Sequence, residues 1–144
     1  MQLKTAAFSV GPRPYLIPCG TRERVTNVDR AVYHAKVLRV GPSFPDEWRR
    51  AIRQWAAHTS LVTAVYLVGS RAKGCARSDS DIDLAFLTRP DGTETAYTVA
   101  FFNKERWAQE LQALLPKPVD LQHADPGEDE IVWPAVQEHG VRIV

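Results

Sequence analysis

Apolar positions along the chain change period several times, and each change marks an element. In PDEWRRAIRQWAAHTS, residues 45–60, Trp48, Ala51, Ile52, Trp55 and Ala56 fall at i, i+3, i+4, i+7 and i+8. That spacing lines one face of a helix, and Asp46 and Glu47 sit in the first turn, where the helix dipole favours acids. LVTAVYLV, residues 61–68, is a nearly continuous apolar run of strand length, and IDLAFLT, residues 82–88, is a second. TAYTVAFF, residues 95–102, reads as a possible third strand and equally as the start of a helix. NKERWAQELQALL, residues 103–115, predicts an amphipathic helix with Trp107, Leu111, Leu114 and Leu115 along one side. PVDLQHA, residues 118–124, is a strand opened by a proline, a position that strands tolerate. In EDEIVWPAVQEHGVRIV, residues 128–144, Pro134 suits the first turn of a short helix, Gly140 ends it, and VRIV forms a last strand.

The first 25 residues carry Gly11, Pro12, Pro14, Pro18 and Gly20 and predict irregular structure, with short strands at AAFSV and YLIPC. TNVDRAVYHAKVLRVG, residues 26–41, places Val28, Ala31, Val32, Ala35 and Leu38 on one helical face, with Asn27 as cap and Gly41-Pro42 as stop, although its β-branched content also suits a strand. From residue 46 the order is helix, strand, loop, strand, helix, strand, helix, strand. That order predicts an α/β sandwich, helices packed against one sheet.

The 144 residues suffice for one domain with a substantial core. Apolar residues make up 44% and charged residues 24%, the usage of a globular domain, and the formal net charge of +1 gives no global field for nucleic acid or an anionic membrane. No apolar run is long enough to span a bilayer, and the opening MQLKTAAFSVGPRPY lacks the apolar centre of a secretory signal. Cys19 and Cys75 match no metal spacing and make a poor disulfide framework, so a reducing cytoplasm is expected. His34, His58, His123 and His139 are scattered and read as structural or surface residues.

Against this ordinary background, YLVGSRAKGCARSDSDIDLAFL, residues 66–87, is unusual. Asp81 and Asp83 alternate with Ile82 and Leu84, so on a strand the two carboxylates share one face and the apolar pair the other. Adjacent carboxylates repel, and a hard divalent cation such as Mg²⁺ relieves that conflict through oxygen ligation while keeping positions open for phosphates. Asp120, between Val119 and Leu121, would add a third carboxylate if its strand lay beside the first. Gly69 and Ser70 follow a strand, where a glycine permits close approach of a ligand and a helical turn would offer amides to a phosphate. Arg71, Lys73 and Arg77 add positive charge, Arg71 being the foremost candidate for phosphate contact; Ser78 and Asp79 read as turn residues. A polyphosphate held between these two ends suits in-line phosphoryl transfer with two metal ions.

GSRAKGCARSDSDIDL followed by VDL resembles the DNA polymerase β-type nucleotidyltransferase superfamily, and the short chain resembles its minimal nucleotidyltransferases (MNT), often encoded beside a HEPN-domain partner. The resemblance covers about residues 46–144 and leaves residues 1–45 as an N-terminal extension. It implies a mixed sheet flanked by helices, with Gly69 and Ser70 holding the triphosphate and Asp81, Asp83 and Asp120 as metal ligands, Asp120 also as base. It further implies transfer of AMP from ATP, with two Mg²⁺ ions, to a hydroxyl of a HEPN toxin in an antitoxin role. The alternatives are a non-catalytic antitoxin acting by stoichiometric binding, and nucleotidyl transfer to a small molecule such as an antibiotic, although members of that kind usually carry more chain.

Overall fold

The computed structural model describes residues 44–144, so the expected strands at AAFSV and YLIPC and the expected helix over 26–41 lie outside the described residues. In chain order the elements are α1 (Asp46–Ala57), β1 (Val62–Leu67), α2 (Gly69–Lys73), β2 (Ile82–Thr88), α3 (Ala96–Leu114), β3 (Val119–His123), α4 (Val132–His139) and β4 (Val141–Arg142). The four strands form one mixed sheet in the order β3-β2-β1-β4. β1 runs antiparallel to β2 and to β4, while β2 and β3 are parallel. The mixed α/β architecture expected from the sequence is the one observed.

The pleat explains the layers. Ile82, Leu84 and Phe86 project from one face of β2 and are fully buried, and Leu121 of β3 joins them. They pack with Ile52 and Trp55 of α1 and with Trp107 and Leu111 of α3. Trp107 meets Phe86 and Trp55 edge-on, at centroid distances of 5.6 and 6.3 Å. Trp55 Nε1 also donates to Glu110 Oε2 at 2.7 Å, which ties α1 to α3. The opposite face carries a smaller cluster of Val68, Ala85, Ala124 and Val136, with Tyr66 and Trp133 at its margin. Beyond β4, the amides of Ile143 and Val144 donate to Val65 O at 2.8 and 3.3 Å, so the chain continues along β1 to its end.

TAYTVAFF is helix, not strand. Thr95 accepts a hydrogen bond from Thr98 N at 3.2 Å, capping α3, and Val99 and Ala100 then turn into the core one helical turn ahead of Asn103. Leu114 departs from the expected stripe and is 51% exposed. The helix ends there; Leu115 takes an extended conformation and swings back into the core in its place. α4 starts without a capping side chain at Ile131, but Asp129 accepts from the amides of Ile131, Val132 and Trp133 at 2.7–2.9 Å. Among the described residues, no helix is long and apolar enough to cross a membrane.

Because Trp107 joins both helices to β2, Trp107→Ala should lower unfolding free energy by about 3–5 kcal/mol in urea titrations. A loss below about 1 kcal/mol would mean that the core does not centre on this ring.

Candidate active site

The site is built where β1 gives way to α2. Gly69 has φ +68°, a conformation that side chains with a Cβ rarely adopt. A Cβ there would also collide with the Asp83 carboxylate, reaching 2.8 Å from Cγ. Glycine is therefore required twice over, once by its own backbone and once by its neighbour. Val68 N donates to Asp83 O at 2.9 Å, fastening the turn to the strand that bears the acids. Gly74, at φ +73°, ends α2, and Cys75 N donates to Ser70 O at 3.0 Å.

β2 and β3 bring two of the three expected acids side by side. Their parallel register sets Asp83 opposite Asp120 and Leu84 opposite Leu121. Neighbouring strands lie about 4.8 Å apart, so the two carboxylates leave the sheet as close neighbours on the same face. Asp81 lies one residue before β2 begins, on the approach to the same place. Asp83 is half-buried, whereas Asp81 and Asp120 are exposed. Burial raises the Asp83 pKa, and the Asp120 and Asp81 carboxylates raise it further, against a smaller opposing pull from Arg71.

Arg71, which the sequence reading places toward phosphate, is bonded to the loop that precedes β2. Its side chain is only 4% exposed, and it donates through Nε to Asp81 O at 3.1 Å and through Nη2 to Ser80 O. Its guanidinium lies over the Trp48 ring, 5.3 Å from the centroid. Arg71 thus anchors the backbone that presents Asp81 to the helix that carries Ser70. Arg77 instead pairs with Asp79 at 3.3 Å in the open, and Ser78 and Asp79 form the expected turn.

The resting side chains do not close into a cage. Asp120 Oδ1 accepts from Gln122 Nε2 at 2.7 Å, and Gln122 Oε1 accepts from Lys104 Nζ at 3.1 Å. Among the described residues, no three acid, histidine or cysteine groups are gathered as a metal centre. The register nevertheless fixes where the carboxylates can reach, and rotation about χ1 alone changes where they rest. Three oxygen-only donors, one of them disfavoured as an anion by burial and by the other two, are a donor set that fits a hard divalent cation. The Asp120–Gln122–Lys104 chain was not anticipated from sequence, although Gln122 stands two positions after Asp120 and so shares its face by the strand period.

A family model described as polymerase beta, nucleotidyltransferase, matches residues 50–144. Comparison with curated proteins gives no match. Among solved structures, the chain is similar to a toxin-antitoxin with AMP-PNP, with a TM-score of 0.52 and 23% identity over 67% of this chain and 72% of that one. It is also similar to a mutant of the toxin-antitoxin MntA-HpeT, with a TM-score of 0.51 and 18% identity over 67% of this chain and 71% of the other. At these identities the likeness is one of fold.

The raised Asp83 pKa has a consequence for stability. A carboxyl whose pKa rises on folding contributes stability that is complete below its unfolded pKa and is lost as pH rises through the folded value. Asp83→Asn should therefore melt at a higher temperature than wild type near neutrality, and the gap should close as pH falls below the ordinary aspartate range. Thermal unfolding across that interval checks it; a variant less stable than wild type at neutral pH contradicts the electrostatic account.

Proposed function

The chain belongs to the polymerase beta nucleotidyltransferase family, and from that premise we propose that it transfers AMP from ATP to a hydroxyl on a partner protein, in an Mg²⁺-dependent reaction. The observation that carries this reading is the placement of Asp83 opposite Asp120 on parallel strands, with Gly69 pressed against Asp83 from the other side. The phosphate end and the metal end of the site thereby abut.

In this reading Asp81, Asp83 and Asp120 hold the metal, which would neutralise the phosphate oxygens and align the α-phosphate for attack. Gly69 and Ser70 receive the triphosphate at the start of α2. Asp120, exposed at the sheet edge, takes the proton as the acceptor oxygen bonds to the α-phosphorus. The bond from the α-phosphorus to the bridging oxygen breaks, and pyrophosphate leaves with that oxygen. Arg71 keeps Asp81 aligned with the turn at Ser70 and lends its positive charge to the phosphate end of the site. The catalytic domain runs from Asp46, the first residue of α1, to residue 144, and residues 1–45 form an extension to it.

The partner implied by the sequence resemblance is a HEPN-domain toxin, with this chain as its antitoxin. The two structural neighbours support looking there, since each is named as a toxin-antitoxin and one holds the ATP analogue AMP-PNP. In that setting the acceptor is a tyrosine, serine or threonine side chain of the toxin.

Asp81→Asn, Asp83→Asn and Asp120→Asn should each lower transfer by roughly a hundredfold or more, read as an AMP mass adduct on the co-expressed partner after incubation with ATP and Mg²⁺. An adduct that forms undiminished in all three variants would overturn the assignment. A triple variant that forms no adduct yet still silences the partner would replace transfer with stoichiometric binding.

A further inference from the structure

A groove of about 430 Å³ opens beside the site, between the first half of α3 and the segment that follows β3. Tyr97 and Phe101 form one wall, stacked at 6.4 Å, and Lys104 and Gln122 reach its base. Asp125, Glu128 and Asp129 form the opposite rim.

Three observations set this groove apart. First, its aromatic wall is open: Tyr97, Phe101 and Phe102 are 63%, 68% and 70% exposed, on a helix whose other aromatic, Trp107, is buried. Phe102 packs edge-on to Phe101 at 5.5 Å but lies outside the groove, so the apolar surface continues past it. Exposed aromatic surface of this extent marks contact with another molecule, and its spread beyond the cavity suits a macromolecule better than a small one.

Second, the rim is negatively charged. Its three carboxylates outnumber the one lysine, Lys104, which donates to Gln122, and burial lowers the His123 pKa against the pull of Asp125 and Asp129. Asp125 accepts from Gly127 N at 2.9 Å, and Asp129 holds the amides that open α4. These bonds fix the two carboxylates in place without cancelling their charge. Aromatic faces beside fixed carboxylates form a receptor for a cationic side chain.

Third, the groove leads to the chemistry. Gln122, at its base, donates to Asp120 Oδ1, and the two residues are about 6.6 Å apart along the strand. β3 is an edge strand, so among the described strands none stands between groove and carboxylate.

We infer that the groove docks the acceptor, a segment of the partner protein that carries a basic side chain close to its acceptor hydroxyl. The aromatic wall and acidic rim hold the segment, and its hydroxyl is delivered along β3 to Asp120. The assignment of Asp120 as base, and so the direction of delivery, rests on the transfer reading; the binding preference does not.

The test uses the full chain and two sets of short fluorescent peptides that share a central tyrosine and differ only in flanking arginines or glutamates. Anisotropy should show the arginine set binding at least about tenfold more tightly, and Phe101→Ala and Glu128→Lys should each weaken that binding about tenfold. Both variants should bind AMP-PNP as wild type does. Equal affinity for both peptide sets, no binding of either, or a loss confined to AMP-PNP would overturn the inference, the last by making the groove a nucleotide site. Displacement of the arginine peptides by spermine at lower concentration than by the same peptides unlabelled would also overturn it, in favour of a small polycation. The two readings fail separately: peptide binding with the expected variant losses but no nucleotide incorporation refutes transfer alone, whereas incorporation into the partner that Phe101→Ala and Glu128→Lys leave unchanged refutes docking alone.

Discussion

Alternation along β2 and β3 fixes which face of each strand is buried, and the observed register places Asp83 beside Asp120. Slip either strand by one residue and Leu84 or Leu121 would face water while a carboxylate entered the core. The hydrophobic layer between the sheet and helices α1 and α3 thus indexes the acids on the other side. The Gly69 turn depends on the same pairing, because it is hydrogen-bonded to the backbone of Asp83 and has no room for a Cβ against its carboxylate.

That arrangement concentrates negative charge where the sheet is partly dry. Asp83 is disfavoured as an anion by its burial and by both neighbouring acids. Arg71 offsets part of this from beneath, held by two backbone carbonyls and the Trp48 ring. Such a site is held in place by the rest of the fold at a cost in stability, a common relation between stability and function.

Much of this was legible in the sequence because the signals are local. The period of 3.6 in Trp48–Ala56, the alternation around Asp81 and Asp83 and the lone acid in VDL each depend on a few adjacent residues. What was not legible depends on distant ones. TAYTVAFF is β-prone residue by residue, and the Thr95 cap together with the burial of Val99 and Ala100 decides for helix. The charge of Arg71 is visible in the sequence, whereas its bonds to the carbonyls of Ser80 and Asp81 appear only once the loop closes. The groove joins α3 to residues 18 or more positions later, and no local pattern connects Phe101 with Glu128.

β3 lies at the rim of the sheet, and its free side has a bearing on how variants there behave. Pro118 O and Ala124 N both engage β2, so by alternation the amides of Val119, Leu121 and His123 turn away from the sheet, where Gln112 already covers that of Val119. A strand exposed in this way can recruit a strand from another molecule and seed aggregation, and a charged side chain on it discourages that. Asp120 is such a charge. The residue to which the proposed reaction assigns a role thus also carries the kind of charge that guards an edge strand, so neutralising it removes both at once. Inactivity in an Asp120 variant speaks to catalysis only when the protein has been shown to remain monodisperse.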